Sequence, residues 1–285
     1  MSNSEKISLA ISTCPNDTFA FHAILNRKID LRGLEFDVQL LDIQQLNDGL
    51  FSGKFDVAKA SFHAAILLAD QTVILPVGAA LGFGVGPLLL AAESSTTPGS
   101  AASQLALCPG QHTTAALLFQ LFYPDTTRVE HALFSDIMPA LEEQRADFGV
   151  CIHEGRFTFE QAGLHCVADL GTRWEQQFDC PLPLGGILAR RALDKVKLDT
   201  VVQVIRESIE YGLQHRQETL ATMREHAQEL ADDVIFQHVD LYVNDWTLDL
   251  GDVGRRALHQ LADAAQQAGI SSGEKSDSGT VIQII

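Results

Sequence analysis

Residues 7–25 read ISLAISTCPNDTFAFHAIL. An alternating apolar run gives way to Cys14-Pro15-Asn16-Asp17-Thr18, and a helical pattern carried by Phe19, Ala20, Ala23 and Ile24 follows. Strand, loop and helix in that order open a βα unit. The loop admits two readings. In one it is turn chemistry: Pro15 fixes φ, and Asn16, Asp17 or Thr18 caps the helix with a side-chain oxygen. In the other it is a ligand loop, because open α/β sheets bind small molecules at the carboxyl ends of their strands.

The same rhythm continues to about residue 190. Strand-like runs stand at KISLAIS, LEFDVQLLD, DVAKAS, GPLLLAA, QLALCP, VEHALF, FGVCIHE and LGGILAR. Helical runs stand between them at TFAFHAILN, IQQLNDGLF, FHAAILLAD, TTAALLFQLFY and IMPALEEQR. Alternation of this kind predicts mostly parallel sheets with helices on their faces, an α/β fold. From Leu193 onward every run is helical, the last one (251–269) announced by Asp249 and Gly251 and stopped by Gly269. The tail SSGEKSDSG is polar, although TVIQII at 280–285 could dock back.

Composition shifts at ESSTTPGSAAS (93–103) and near CPLPLGG (180–186). Two crossings predict an inserted lobe, 94–186, with 1–93 and 187–285 forming the other, and a ligand cleft between them.

The chain has 285 residues and a formal charge of −17. Such a charge argues against nucleic acid, whose binders carry a basic footprint. An anionic ligand must then be met by a local cation or by backbone N–H groups. No run reaches the roughly 18 apolar residues of a membrane helix, and residues 1–6 are too polar for a signal peptide. Five cysteines without a C-x-x-C pair point to reduced thiols and a cytoplasmic location.

Several motifs bear on chemistry. Gly82, Gly84 and Gly86 form G-x-G-x-G, but Pro87 and a strand follow where a dinucleotide site needs a helix, so a hinge segment fits better. In CPGQHTTAALL, Thr113 and Thr114 open a helix whose first-turn N–H groups could hold a carboxylate or phosphate; a plain N-cap needs only one of the hydroxyls. Lys59 interrupts the apolar DVAKAS run, with Ser61 on the same face. It either faces an anionic ligand in a cleft or sits on an exposed edge strand. His153 ends an apolar strand where a loop begins, a position suited to a general base, and Glu154 would point to the opposite face. No H-x-x-x-H or H-E-x-x-H pair supports a metal. Cys14 and Cys108 read as small buried hydrophobes rather than nucleophiles.

Taken in order, SxCPNDTFxFHA, AKxS, GxGVGPLL, PGxHTTA, GVxIHEGRFT and LPLGG resemble the 1,4-dihydroxy-6-naphthoate synthases of the futalosine route to menaquinone. The resemblance runs over nearly the whole chain, to YVNDWTLDLGDVGRRAL. It implies a two-lobe fold like the type II periplasmic binding proteins, with a hinge and central cleft, used as a cytoplasmic enzyme. It further implies conversion of cyclic dehypoxanthinyl futalosine to the naphthoate with release of dihydroxyacetone, and no cofactor or metal. By the same resemblance His153 is the general base, and Lys59-Ala60-Ser61 and Thr113-Thr114 contact the substrate, with Asn16 and Asp17 in a wall of the cleft. A chorismate dehydratase of the same pathway and a non-catalytic solute-binding protein are the rival readings. The HEGRFT and PGxHTTA matches favour the synthase, and the polar N-terminus counts against the exported binder.

Overall fold

Ile7, Leu9 and Ile11 point one way from the first strand, and they pack with Val201, Ile205 and Ile209 of a long C-terminal helix. Ala10 faces the other way, into a second core cluster with Ala58, Phe62 and Leu188. That strand, β1 (Ile7–Ser12), starts the chain in a computed structural model that describes residues 6–99, 103–153, 155–227, 231–270 and 282–285. After it come α1 (Pro15–Ala20), α2 (His22–Leu25), β2 (Phe36–Leu41), α3 (Ile43–Phe51), β3 (Val57–Ser61) and α4 (Phe62–Leu67). Two short strands, β4 (Thr72–Ile74) and β5 (Ala80–Gly82), close this segment.

The next segment holds β6 (Leu88–Ala91), β7 (Leu105–Cys108), α5 (Thr114–Phe122), β8 (Arg128–His131) and α6 (Phe134–Glu142). It continues with β9 (Phe148–Cys151), α7 (Gly155–Thr158), β10 (His165–Asp169) and α8 (Leu170–Phe178). Strand β11 (Leu182–Arg190) returns to the first sheet. The helices α9 (Lys195–Gln214), α10 (Arg216–His226), α11 (Asp232–Tyr242), α12 (Asp245–Leu248) and α13 (Gly251–Gln267) complete the chain.

Two sheets result, with strand orders β2-β1-β3-β11-β4 (β5 also pairing with β11) and β10-β6-β9-β7-β8. The expected parallel pairing holds for β1 with β2 and β3, and for β7 with β8 and β9. It fails at β11 and β6, which run antiparallel to their neighbours. Those are the strands that enter each sheet from the other one, so no βα crossover forces them to run parallel. The chain changes sheet between Gly82 and Leu88 and returns between Phe178 and Leu182. The first crossing thus precedes the 93–103 stretch, because β6 already belongs to the second sheet. Of that stretch, residues 100–102 lie outside the described residues, as does most of the polar tail.

The glycine run 82–86 is the first crossing. Gly84 has φ +70°, and a Cβ on Gly86 would meet the backbone of Gly171 at 2.1 Å. Close passage of two backbones, rather than phosphate binding, accounts for Gly86. At the C-terminus, Ile284 bridges Ile74 in parallel, so the end of TVIQII does dock on β4.

Candidate active site

The carboxyl ends of β1, β3, β7 and β9 converge on one cleft of about 700 Å³, its mouth included. Asn16, Asp17, Lys59, Ala60, Ser61, Thr113, Thr114 and His153 all line it. Lys59 comes from the first sheet and His153 from the loop after β9 of the second.

On the first-sheet side the polar side chains form a buried network. Asp17 Oδ1 accepts from Lys59 Nζ at 2.7 Å and from Asn16 Nδ2 at 3.0 Å. Asp17 Oδ2 accepts from Ser12 Oγ at 2.5 Å. Lys59 also donates to Gly78 O at 3.1 Å, so two of its three N–H bonds are engaged. The edge-strand reading of Lys59 falls away, because β3 is central, between β1 and β11, and the residue is 5% exposed. Its charge is met inside the protein by Asp17, which weakens its pull on an anion relative to the expectation from sequence.

Capping by Asn16, Asp17 or Thr18 does not occur either. Cys14 occupies the N-cap without a side-chain capping bond, Pro15 opens α1, and the Asn16 and Asp17 side chains turn inward instead. Ser61 Oγ accepts from Asn47 Nδ2 at 3.3 Å, while its backbone N–H donates to Asn47 Oδ1 at 3.1 Å. Asn47 also reaches His112 O, at 3.4 Å, across to the second sheet's segment.

The opposite side is arranged otherwise. Both threonine hydroxyls expected to hold an anion are engaged by backbone: Thr113 Oγ1 caps α5 by accepting from Ala116 N, and Thr114 Oγ1 donates to Leu184 O at 2.7 Å. The first-turn N–H groups of Thr114 and Ala115 have no carbonyl partner within the helix. His153 adopts φ +56°, a left-handed conformation uncommon for a side chain with a Cβ, and of the non-glycine residues described with such a φ it is the one that lines the cleft. Its ring lies edge-on to Phe134, 4.9 Å between centroids. Cys14 Sγ lies 3.2 Å from His153 Nδ1, so this sulfur touches the candidate base instead of only filling space. Glu154 lies outside the described residues. Arg156 spans from this wall to the crossing, donating to Gly86 O and to Asp169 Oδ2, each at 2.7 Å.

Ser12, Arg156, His238 and Tyr242 also line the cleft, and sequence reasoning assigned them no role. Ser12 and Arg156 stand inside the quoted SxCPNDTFxFHA and GVxIHEGRFT motifs and were within reach of it. His238 sits on α11 outside every quoted motif, whereas Tyr242, at the end of α11, opens the YVNDWTLDLGDVGRRAL run. Among the described residues, no group of three His, Cys, Asp or Glu is placed to hold a metal ion. None of the described helices is long and apolar enough to cross a membrane.

The family model for menaquinone biosynthesis matches residues 7–267. The 1,4-dihydroxy-6-naphthoate synthase of Thermus thermophilus is 39% identical over 269 residues, covering 94% of this chain and 97% of that one. The enzyme of the same name from Streptomyces coelicolor is 35% identical over 273 residues, covering 94% and 95%. Among solved structures, protein AF1704 from Archaeoglobus fulgidus superposes with a TM-score of 0.89 at 31% identity, covering 94% of this chain and 99% of that one. The periplasmic aliphatic sulphonate binding protein SsuA from Escherichia coli shares the fold, with a TM-score of 0.63 at 14% identity over 94% and 88% of the two chains. The two sheets with a cleft between them are therefore a periplasmic-binding-protein-like fold, and the chain belongs to the menaquinone biosynthesis family.

Proposed function

We propose that this protein is a 1,4-dihydroxy-6-naphthoate synthase, a carbon–carbon lyase that converts cyclic dehypoxanthinyl futalosine to the naphthoate and releases dihydroxyacetone. The observation that carries this is His153, held by a left-handed backbone at the cleft, in a chain 39% identical to a synthase of that name. Cleaving a bond beside a carbonyl requires removal of a hydroxyl or α proton, and a histidine at the cleft can accept it. Aromatisation of the product then drives the reaction forward.

The carboxylate of the substrate is assigned to the start of α5, where the N–H groups of Thr114 and Ala115 lack an intrahelical partner, with the remaining N–H of Lys59 as a second donor. Ser61 and the backbone of Ala60 complete that side, and Asn16 and Asp17 fix Lys59 rather than touching the anion. Neither a cofactor nor a metal enters this scheme. The free thiols Cys108, Cys166 and Cys180 accord with a cytoplasmic location. The test is direct: supply cyclic dehypoxanthinyl futalosine and follow the naphthoate chromophore. No turnover by intact, folded protein would sink the assignment, and turnover of chorismate instead would move it to the dehydratase.

A further inference from the structure

His238 on α11 is fully buried, lines the cleft, and bonds through Nε2 to Asn16 Oδ1 at 2.9 Å. Its other ring nitrogen, Nδ1, has no partner among the described residues. Which nitrogen carries the proton follows from the network behind it. Asp17, the carboxylate partner of Lys59, only accepts, so the group Asn16 turns toward it must be the amide NH2. The Asn16 oxygen is thereby turned toward His238, and an oxygen accepts, so Nε2 must bear the hydrogen. Nδ1 is then a bare lone pair in a buried wall of the cleft.

Burial, with help from His153 and Lys59, pushes the pKa of His238 well below the ordinary imidazole value, which keeps the ring neutral. A buried acceptor without a donor is costly, and at the wall of a cleft a bound ligand can supply the missing donor. The ring also stacks on that of His153, 6.2 Å between centroids, so anything bonded to Nδ1 lies close to the base. The geometry points to His238 Nδ1 as a binding residue that accepts a hydrogen bond from a hydroxyl of the substrate. Lys59, Asp17 and Asn16 then serve a common end, setting the tautomer that makes this possible. The inference rests on the function proposed above for the identity of the hydroxylated ligand.

Two measurements test it. Imidazole nitrogen NMR of the unliganded protein should show His238 as the Nε2–H form at neutral pH, and an Nδ1–H form or a protonated ring overturns the inference. In the His153→Asn protein, where the proposed mechanism predicts slowed turnover, cyclic dehypoxanthinyl futalosine should shift the His238 Nδ1 resonance toward the hydrogen-bonded range. The kinetic arm uses two variants. His238→Gln keeps a donor near Nε2 but removes the Nδ1 acceptor and should lower kcat/KM about tenfold or more. His238→Asn puts an oxygen near Nδ1 and should retain more of the activity, whereas equal losses in both variants argue for a merely structural ring. Should either variant fail to fold, the NMR arm still decides. Wild-type turnover by itself decides the function: conversion of substrate with Nδ1 unshifted in the complex overturns this inference and leaves the function standing.

Discussion

On the first-sheet side of the cleft, Ser12, Asn16, Asp17, Lys59 and His238 form a chain of buried hydrogen bonds in which each member fixes the next. On the second-sheet side, His153 stands on a left-handed turn against Cys14 and Phe134, and Thr113 and Thr114 spend their hydroxyls on backbone. The first wall resembles a rigid template whose charges cancel locally. The second carries His153, the base of the proposed reaction, on a left-handed backbone. On the proposed mechanism, preorganisation and reactivity divide between the two sheets' sides of the cleft.

The sharpest way to break this comparison is His153→Asn. It should lower kcat by roughly 10²–10⁴-fold, the range for a lost general base, with folding preserved. Normal turnover would return the proton transfer to the first wall, with Cys14 or Asp17 as the next candidate. The matching change on the template side is Asp17→Asn, which strands the Lys59 ammonium in a buried position. Denaturant titration should show a loss of about 3–5 kcal/mol, and a change under 1 kcal/mol would mean the pair is not the keystone of that wall.

A third test uses acid. His63, next to the cleft's α5 start, is pushed down to about 4 by burial, while its Nδ1 bonds Thr113 O at 3.2 Å. The unfolded chain therefore takes up this proton first as pH falls. Stability is fully present above the unfolded value near 6.5 and is lost down to about 4, a loss of about 3 kcal/mol from this group. His63→Asn, which retains a donor for Thr113 O and cannot titrate, should flatten the fall between those limits; an identical pH profile would acquit His63. The smallest effect is reserved for the link between the walls. Thr114→Val removes the donor to Leu184 O and should cost about 1–2 kcal/mol in the denaturant midpoint with an unchanged slope.

Much of this molecule was legible in the sequence because periodicity is a local property. β1, α3 and α5 were readable from the spacing of their apolar residues, and the ordered motifs led to the cleft residues. What escaped depends on contacts between distant segments. The strands β4 and β5 are three residues each, too short to show alternation, and exist because β11 pairs with them. Nothing around Asp17 announces that it will neutralise Lys59, so the lysine read as an anion site with a net charge to offer. His238 is one of ten histidines and sits mid-helix without a motif, visible only once α11 is laid against α1.

The antiparallel strand β11 carries a consequence for the birth of the protein. As the chain leaves a ribosome, every strand of the second sheet, β6 to β10, has emerged once Asp169 is out. The first sheet must still wait for Leu182–Arg190, since β4 and β5 have no neighbouring strand until β11 arrives, and the Ile74–Ile284 bridge comes later still. Synthesis runs from the N-terminus, yet the lobe that holds the N-terminus is the last to be finished. The wall bearing His153 is in place early, and the nascent chain is a half-built cleft until Ile187 slides in beside Lys59.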